Sequence, residues 1–193
     1  MNDLNSEQTL PPTRATRFDR VVDLFDELPE ISKFLQERPT DDEGYRAFLE
    51  RLRQSDTPEE AVTLPPFAID PQAAIQWGPD WVLALPPALP PEDTTLVNWI
   101  SDWLDEPNAE TRWKTLQLAL FAPRRTSAVY LGLAVGWSGG PFAPNDLVEV
   151  PPWRAPQAVS AAVLRAIGQI HTDHRDASLD HVLDRAAGLF RIH

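Results

Sequence analysis

The residues with the most distinctive chemistry form a Gly-x-Ser-x-Gly pattern in the second half of the chain, from Gly136 to Gly140. In a nucleophile elbow, this pattern places a serine hydroxyl on a sharp turn between a strand and a helix. Asp146 and His171 follow Ser138 in the order Ser, Asp, His, so a catalytic triad is formally available. Prolines follow the serine closely, however, and the preceding segment has the pattern of a helix. We therefore predict a non-enzymatic protein and keep a serine hydrolase that uses Ser138 as the alternative.

A second group with potential chemistry lies at the C-terminus, where histidines and aspartates are mixed. His171 and His174 are three residues apart, and one helical turn could bring both imidazoles to a metal ion. This spacing falls where one helix ends and a turn begins, and His, Asp and Arg side chains are common at helix ends. We therefore expect no metal and no cofactor to bind here. The four histidines are His171, His174, His181 and His193.

The serine leads into a long proline-rich segment that extends to Trp153. Connections of this length without regular structure are uncommon in compact domains, and they are usually either functional or disordered. Prolines reduce the entropy lost on ordering, and apolar residues such as Leu147 provide anchors that disordered linkers lack. We predict an ordered loop that binds a partner protein, although a loop that only covers the end of the core would have the same composition. The candidate partner-binding residues are Ser138, Gly139, Gly140, Phe142, Asn145, Asp146, Glu149 and Trp153.

The segment before this loop, Ser127 to Trp137, is the most hydrophobic part of the chain. Its small residues Ala128, Gly132 and Gly136 recur every four positions, which on a helix forms a stripe where neighbouring helices can approach closely. The spacing therefore predicts a buried helix. Its exit at two consecutive glycines predicts positive φ angles there.

The other apolar residues also recur with a helical period. An amphipathic helix begins near Leu89 and places Trp99 and Trp103 on its apolar face, so both indoles are predicted core anchors. The next helix is predicted to bury Trp113, Leu116, Leu120 and Phe121. A capping box from Thr40 to Glu43 predicts an earlier helix start, and Gly78-Pro79 predicts a kinked or split helix.

No segment shows the alternation typical of a strand, so the predicted fold class is all-α. We expect a compact helical bundle of about 7–8 helices with one long proline-rich loop. The predicted organisation is a disordered lead at residues 1–13, acidic N-terminal helices at 14–64 and a helical core domain at 65–193.

The charge of the chain restricts the partners that it can bind. Acidic residues outnumber basic ones by 29 to 17, and the formal net charge is −12. Because nucleic-acid affinity comes mainly from Lys and Arg contacts, we expect no nucleic-acid partner and favour a basic or neutral protein. The longest apolar run is about half of the roughly 20 residues that a spanning helix needs, which predicts no membrane partner. The chain has no cysteine and opens without a signal-like segment, so we expect a cytoplasmic protein.

The loop and its surroundings resemble a known group of proteins. Trp137-Ser-Gly-Gly140, Ala143-Pro144 and Pro151-Pro152 ahead of an Ala- and Val-rich helix are similar to the pattern of an uncharacterised bacterial family of small helical proteins. The resemblance covers about residues 70–170. Members of that family are often associated with type VI secretion, and the resemblance implies an adaptor or accessory role without catalytic residues. An acidic immunity-type inhibitor of a basic toxin is a related alternative.

Overall fold

The computed structural model describes residues 16–85 and 89–190, and the predicted disordered lead at 1–13 lies outside them. The described residues form nine α-helices and three short 3₁₀ helices, with two isolated β-bridges and no named strand. The predicted all-α fold class is therefore confirmed. The α-helices are α1 (Val21–Glu27), α2 (Tyr45–Arg53), α3 (Leu64–Ala68), α4 (Pro71–Val82), α5 (Thr94–Asp105), α6 (Ala109–Phe121), α7 (Ser127–Gly136), α8 (Arg154–Gln169) and α9 (Thr172–Leu189).

Helix α7 lies at the centre of the fold and packs against α4, α5, α6 and α8. Nine of its ten residues are buried, which agrees with the extreme hydrophobicity of this segment. A Cβ atom added at Gly132 would lie 2.8 Å from the side chain of Leu96, and one added at Gly136 would lie 2.4 Å from that of Leu116. The predicted small-residue stripe is thus confirmed as the surface on which α5 and α6 approach α7.

Buried side chains from α1 to α9 form one hydrophobic cluster, which extends from Val21 to Phe190. The N-terminal helices contribute to this cluster, and Arg53 of α2 pairs with Asp180 and Asp184 of α9 at 2.7 Å each. The cluster contains side chains from both sides of the predicted domain boundary at residue 65. The boundary itself stays a prediction.

The predicted capping box does not begin a helix. Glu43 accepts a hydrogen bond from the backbone N–H of Thr40 at 3.2 Å, as the box requires, but α2 begins only at Tyr45. The Glu43 carboxylate also binds Arg51 on the next turns of α2 at 2.7 and 2.9 Å. The pairing with Arg51 fixes the turn from Thr40 to Glu43, which precedes α2. The hydrogen bond from Arg51 also lowers the pKa of Glu43.

The predicted interruption at Gly78-Pro79 did not split the helix, because α4 is unbroken from Pro71 to Val82. A proline removes one backbone donor and usually weakens a helix at that point. Here the preceding glycine lies against α7 and α8, and a Cβ atom added to it would be 2.7 Å from Leu131 and 3.2 Å from Val159. The helix therefore continues through Pro79, and the segment around the proline packs closely against α7 and α8.

The prediction for the inward face of α6 was partly wrong. Leu116 is buried as predicted, but Leu120 is exposed and Phe121 is 85% exposed. The same correction applies to α5, where Trp103 is buried but Trp99 is only half-buried. The inward face of α6 instead consists of Arg112, Thr115, Leu116 and Ala119. The glycine stripe of α7 explains this choice, because the missing side chains leave room for Leu116 at Gly136 and for Ala119 at Gly132.

Candidate functional site: the loop between α7 and α8

Residues 137–153, here called the α7–α8 loop, fold back on themselves in a short hairpin-like turn. The backbone N–H of Val150 donates to the carbonyl of Gly140 at 2.9 Å, and that of Phe142 donates to Val148 at 3.1 Å. At the tip, the side chain of Asp146 accepts a hydrogen bond from the N–H of Val148 at 3.0 Å. These bonds satisfy backbone groups inside the loop and define its shape.

Three residues with positive φ angles turn the chain within this loop. Gly139 and Gly140 have φ angles of 154° and 69°, as the sequence predicted for the exit from α7. Asn145 has a φ of 65° at the tip, and asparagine tolerates this left-handed conformation better than most residues. The two glycines therefore turn the chain at the start of the loop, and Asn145 helps to reverse the direction of the chain at the tip.

A buried arginine from α6 supports the loop from below. The guanidinium of Arg112 donates hydrogen bonds to the carbonyl oxygens of Gly136 at 3.0 Å, Gly139, and Pro141 at 3.5 Å. Burial lowers the pKa of Arg112, while the charge of Glu149 acts in the opposite direction. Because one side chain satisfies carbonyls at the end of α7 and in the loop, it fixes the loop relative to the core.

A second arginine, Arg154 at the start of α8, lies among the aromatic rings of the loop. Its guanidinium carbon is 5.1 Å from the ring centroid of Trp137, 5.0 Å from that of Phe142 and 5.5 Å from that of Trp153. Cation–π contacts of this kind contribute about 0.5–1 kcal/mol each where they are partly exposed. The aromatic residues of the loop therefore anchor it to α8.

The tip of the loop presents two apolar side chains to solvent. Leu147 is 97% exposed and Val148 is 59% exposed. The prediction that Leu147 anchors the loop was therefore wrong, while Val150 is buried. Sequence analysis also missed the supporting roles of Arg112 and Arg154. Arg112 carried no local signal, because it is distant from the loop in sequence, whereas Arg154 directly follows Trp153 at the end of the loop.

The predicted partner-binding residues all lie on this one loop, but they divide into two groups. Phe142 and Trp153 are partly buried against Arg154 and act as anchors. The exposed group consists of Gly139, Gly140, Asn145, Asp146 and Glu149. Ser138 lies half-buried at the base, where its backbone N–H donates to the carbonyl of Val135 at 3.2 Å.

The surroundings of Ser138 differ from those of a nucleophile elbow. The serine follows helix α7 and precedes a long loop, whereas an elbow connects a strand directly to a helix. His171 is the N-cap residue of α9, where its Nδ1 accepts a hydrogen bond from the N–H of Asp173 at 3.4 Å. His174 and His181 are exposed on α9, and His193 lies outside the described residues.

Within residues 16–85 and 89–190, no group of three or more His, Asp or Glu side chains could hold a metal ion. The described histidine and aspartate residues near the C-terminus instead lie at the N-cap of α9 and along its surface. Across the same described ranges, no helix is long and apolar enough to cross a membrane.

The chain matches a family of unknown function, DUF6931, over residues 48–190. The chain belongs to this family. The match begins within α2 and extends to the end of α9, so the DUF6931 region includes α7, the α7–α8 loop and both supporting arginines. It confirms that the chain belongs to an uncharacterised family, and the matched region is longer on both sides than residues 70–170. The signature motif and the association with type VI secretion stay predictions. No curated protein and no solved structure matches the chain.

Proposed function

We propose that this DUF6931 protein acts by binding another protein through the tip of the α7–α8 loop, without catalysing a reaction. The observation that carries the proposal is the 97% exposure of Leu147 on a turn whose backbone is hydrogen-bonded. A leucine side chain that is left in water forgoes about 1.5–3 kcal/mol of burial free energy, which a partner surface can recover.

The loop has two properties that favour protein binding. It is held by Arg112 and Arg154, so little conformational entropy is lost when a partner docks. The exposed polar residues Asn145, Asp146 and Glu149 surround the apolar tip. An apolar centre with a polar rim is the usual arrangement of a protein interface.

The charge of the chain favours a basic or neutral partner, because its formal net charge is −12. We place this adaptor or accessory function in a bacterial type VI or related secretion pathway and in the cytoplasm, on the basis of the sequence resemblance. Inhibition of a basic toxin is the second candidate function, since strong negative charge suits an immunity-type protein. Both functions use protein binding and differ in the partner.

The test is a pull-down from the native host followed by mass spectrometry, with wild-type protein and a Leu147→Ser, Val148→Ser double variant as baits. Leu83→Ser is the matched control, because this leucine is 51% exposed on a different part of the surface, just after α4. We expect the double variant to lose a partner that wild type and Leu83→Ser both retain. Equal recovery of every partner by all three baits would contradict binding at the loop tip.

The serine hydrolase alternative has its own experiment. Ser138 follows a helix, and we expect a fluorophosphonate probe to leave it unlabelled. Ser138→Ala should retain partner binding and serves as the labelling control. Labelling that disappears in Ser138→Ala would replace the proposed function with hydrolysis.

A further inference from the structure

A groove separate from the α7–α8 loop lies between the start of α5 and the end of α6. Its volume is about 520 Å³, which is within the range of roughly 300–1,000 Å³ typical of small-molecule sites. Its walls are mainly apolar and include Leu96, Trp99, Leu118, Phe121, Ala122 and Pro123. Phe121 is 85% exposed at one wall, so it is available to cover a bound molecule.

The groove is also lined by a buried carboxylate, one oxygen of which has no hydrogen-bond partner among the described residues. Asp93 lines the groove with only 5% of its surface exposed, and its Oδ2 atom is buried without a hydrogen bond to any described residue. Asp93 directly precedes α5 but makes no capping hydrogen bond to that helix. A buried polar group that lacks a partner is costly, and a carboxylate is satisfied best by a cationic donor.

The other charged side chains of the groove have partners of opposite charge. Glu92 and Arg124 approach each other at 3.8 Å, and Lys114 pairs with Glu110 at 2.7 Å. The Lys114 ammonium also lies 4.8 Å from the ring centroid of Trp99. Among the charged side chains that line the groove, Asp93 is therefore the one for which the described residues supply no partner of opposite charge.

We propose that this groove binds a small organic cation, an ammonium group on an apolar body. The ammonium group donates hydrogen bonds to the carboxylate of Asp93, and the apolar body packs against Leu96, Trp99 and Phe121. The chemistry follows from one carboxylate oxygen that has no partner among the described residues and from the apolar walls beside it. The strongly negative charge of the whole chain also raises the local concentration of cations. This site is independent of the protein-binding function proposed for the α7–α8 loop.

The experiment uses 2-phenylethylamine as the probe and 2-phenylethanol as its neutral counterpart, in titrations followed by ¹H–¹⁵N NMR. In the wild-type protein, we expect both probes to shift amides of the groove and the Trp99 indole, with the amine binding about tenfold more tightly. In Asp93→Asn, we expect similar affinities for the amine and the alcohol. Equal affinities in the wild type, or signals that shift only outside the groove, would overturn the proposal.

A second variant makes the test independent of any folding defect in Asp93→Asn. Phe121→Ser changes an exposed wall residue, so we expect it to weaken both probes while the preference for the amine persists. Leu147→Ser lies on the separate loop and should leave both affinities unchanged. Tighter binding of phenylacetate than of the amine would assign the groove to anions and reject the proposal, as would binding of lysine-containing peptides without binding of the amine.

Discussion

Two apolar surfaces in the described part of the chain, the α7–α8 loop tip and the end of α6, are exposed for different reasons. At the loop tip, backbone hydrogen bonds and positive φ angles direct Leu147 and Val148 outward. On α6, the exposure of Leu118 and Phe121 follows from which face of a regular helix packs against α7. The comparison shows that apolar exposure can be determined by loop geometry in one region and by helix rotation in another.

The two regions also use charge differently. The loop packs on a buried cation, Arg112 of α6, which donates hydrogen bonds to carbonyl oxygens at the end of α7 and in the loop. The groove has a buried anion, Asp93, with an unpaired oxygen among the described residues. The loop carbonyls that face Arg112 therefore have a donor, whereas the described residues supply no donor to this oxygen of Asp93. This contrast is the reason for proposing a protein partner at the first region and a small cation at the second.

The largest expected effect distinguishes the groove wall from the core. Trp103→Ala should lower the free energy of unfolding by about 3–5 kcal/mol, because it removes a fully packed indole. Trp99→Ala should cost roughly half as much, because that indole is half-buried and borders the groove. Urea denaturation of both variants measures the difference. Equal losses would place Trp99 in the core and remove it from the groove.

The next effect tests whether Arg112 holds the loop. Arg112→Met keeps much of the side-chain volume but removes the donors to three carbonyls, and we expect a loss of about 2–3 kcal/mol. Hydrogen exchange should accelerate at the amides of Phe142 and Val150, which close the hairpin-like turn. The amides of α5 should keep their relative protection. Unchanged exchange in the loop would show that Arg112 does not support it.

A third prediction concerns the contact between α6 and α7. Gly136→Ala should destabilise the protein by about 1–3 kcal/mol, because the new Cβ atom would collide with Leu116. Gly168→Ala in α8 is the matched control, since a Cβ atom there meets nothing within 4 Å. The control should stabilise the helix by about 0.5–1 kcal/mol. Thermal unfolding of the two variants should therefore shift in opposite directions, and stabilisation by both would argue against a close approach.

A fourth prediction concerns the backbone of the loop. Gly140→Ala should cost about 1–2 kcal/mol, because Gly140 has a φ of 69° and its Cβ would lie 3.2 Å from Arg112. Asn145→Gly at the tip should be neutral or slightly stabilising, because Asn145 already has a φ of 65°. Chemical denaturation measures both changes. A stability loss at Asn145 larger than at Gly140 would contradict the assigned roles.

The smallest expected effect on stability is at the surface of the tip. Leu147→Ser should change the free energy of unfolding by less than about 0.5 kcal/mol, because Leu147 is almost fully exposed. An unchanged melting temperature would make this variant a clean probe of binding. A clear loss of stability would instead give Leu147 a structural role.

The all-α fold was predictable because helical spacing is local information. The pattern of small residues in α7 predicted both a helix and a close approach, and the structure confirms both. The glycines after α7 similarly predicted positive φ angles. These features depend on the spacing of residues a few positions apart, and this spacing can be read directly from the sequence.

The inward face of α6 was not predictable in the same way. Hydrophobicity favoured Leu120 and Phe121 as core residues, but the glycine stripe of α7 admits the face with Thr115 and Ala119. Two faces of one helix can satisfy a helical period, and only the neighbouring surface decides between them. The candidate loop was identified from its prolines and glycines, but its exposed Leu147 was mistaken for an anchor.

The sequence by itself thus determined the helices, the central position of α7 and the place of the long loop, because these follow from local composition and periodicity. Only the tertiary structure decided that Arg112 supports the loop, that Phe121 is exposed and that one oxygen of Asp93 has no partner among the described residues. Each of these depends on which groups meet across distant parts of the chain. Burial and pairing are properties of that packed arrangement and have no local signature.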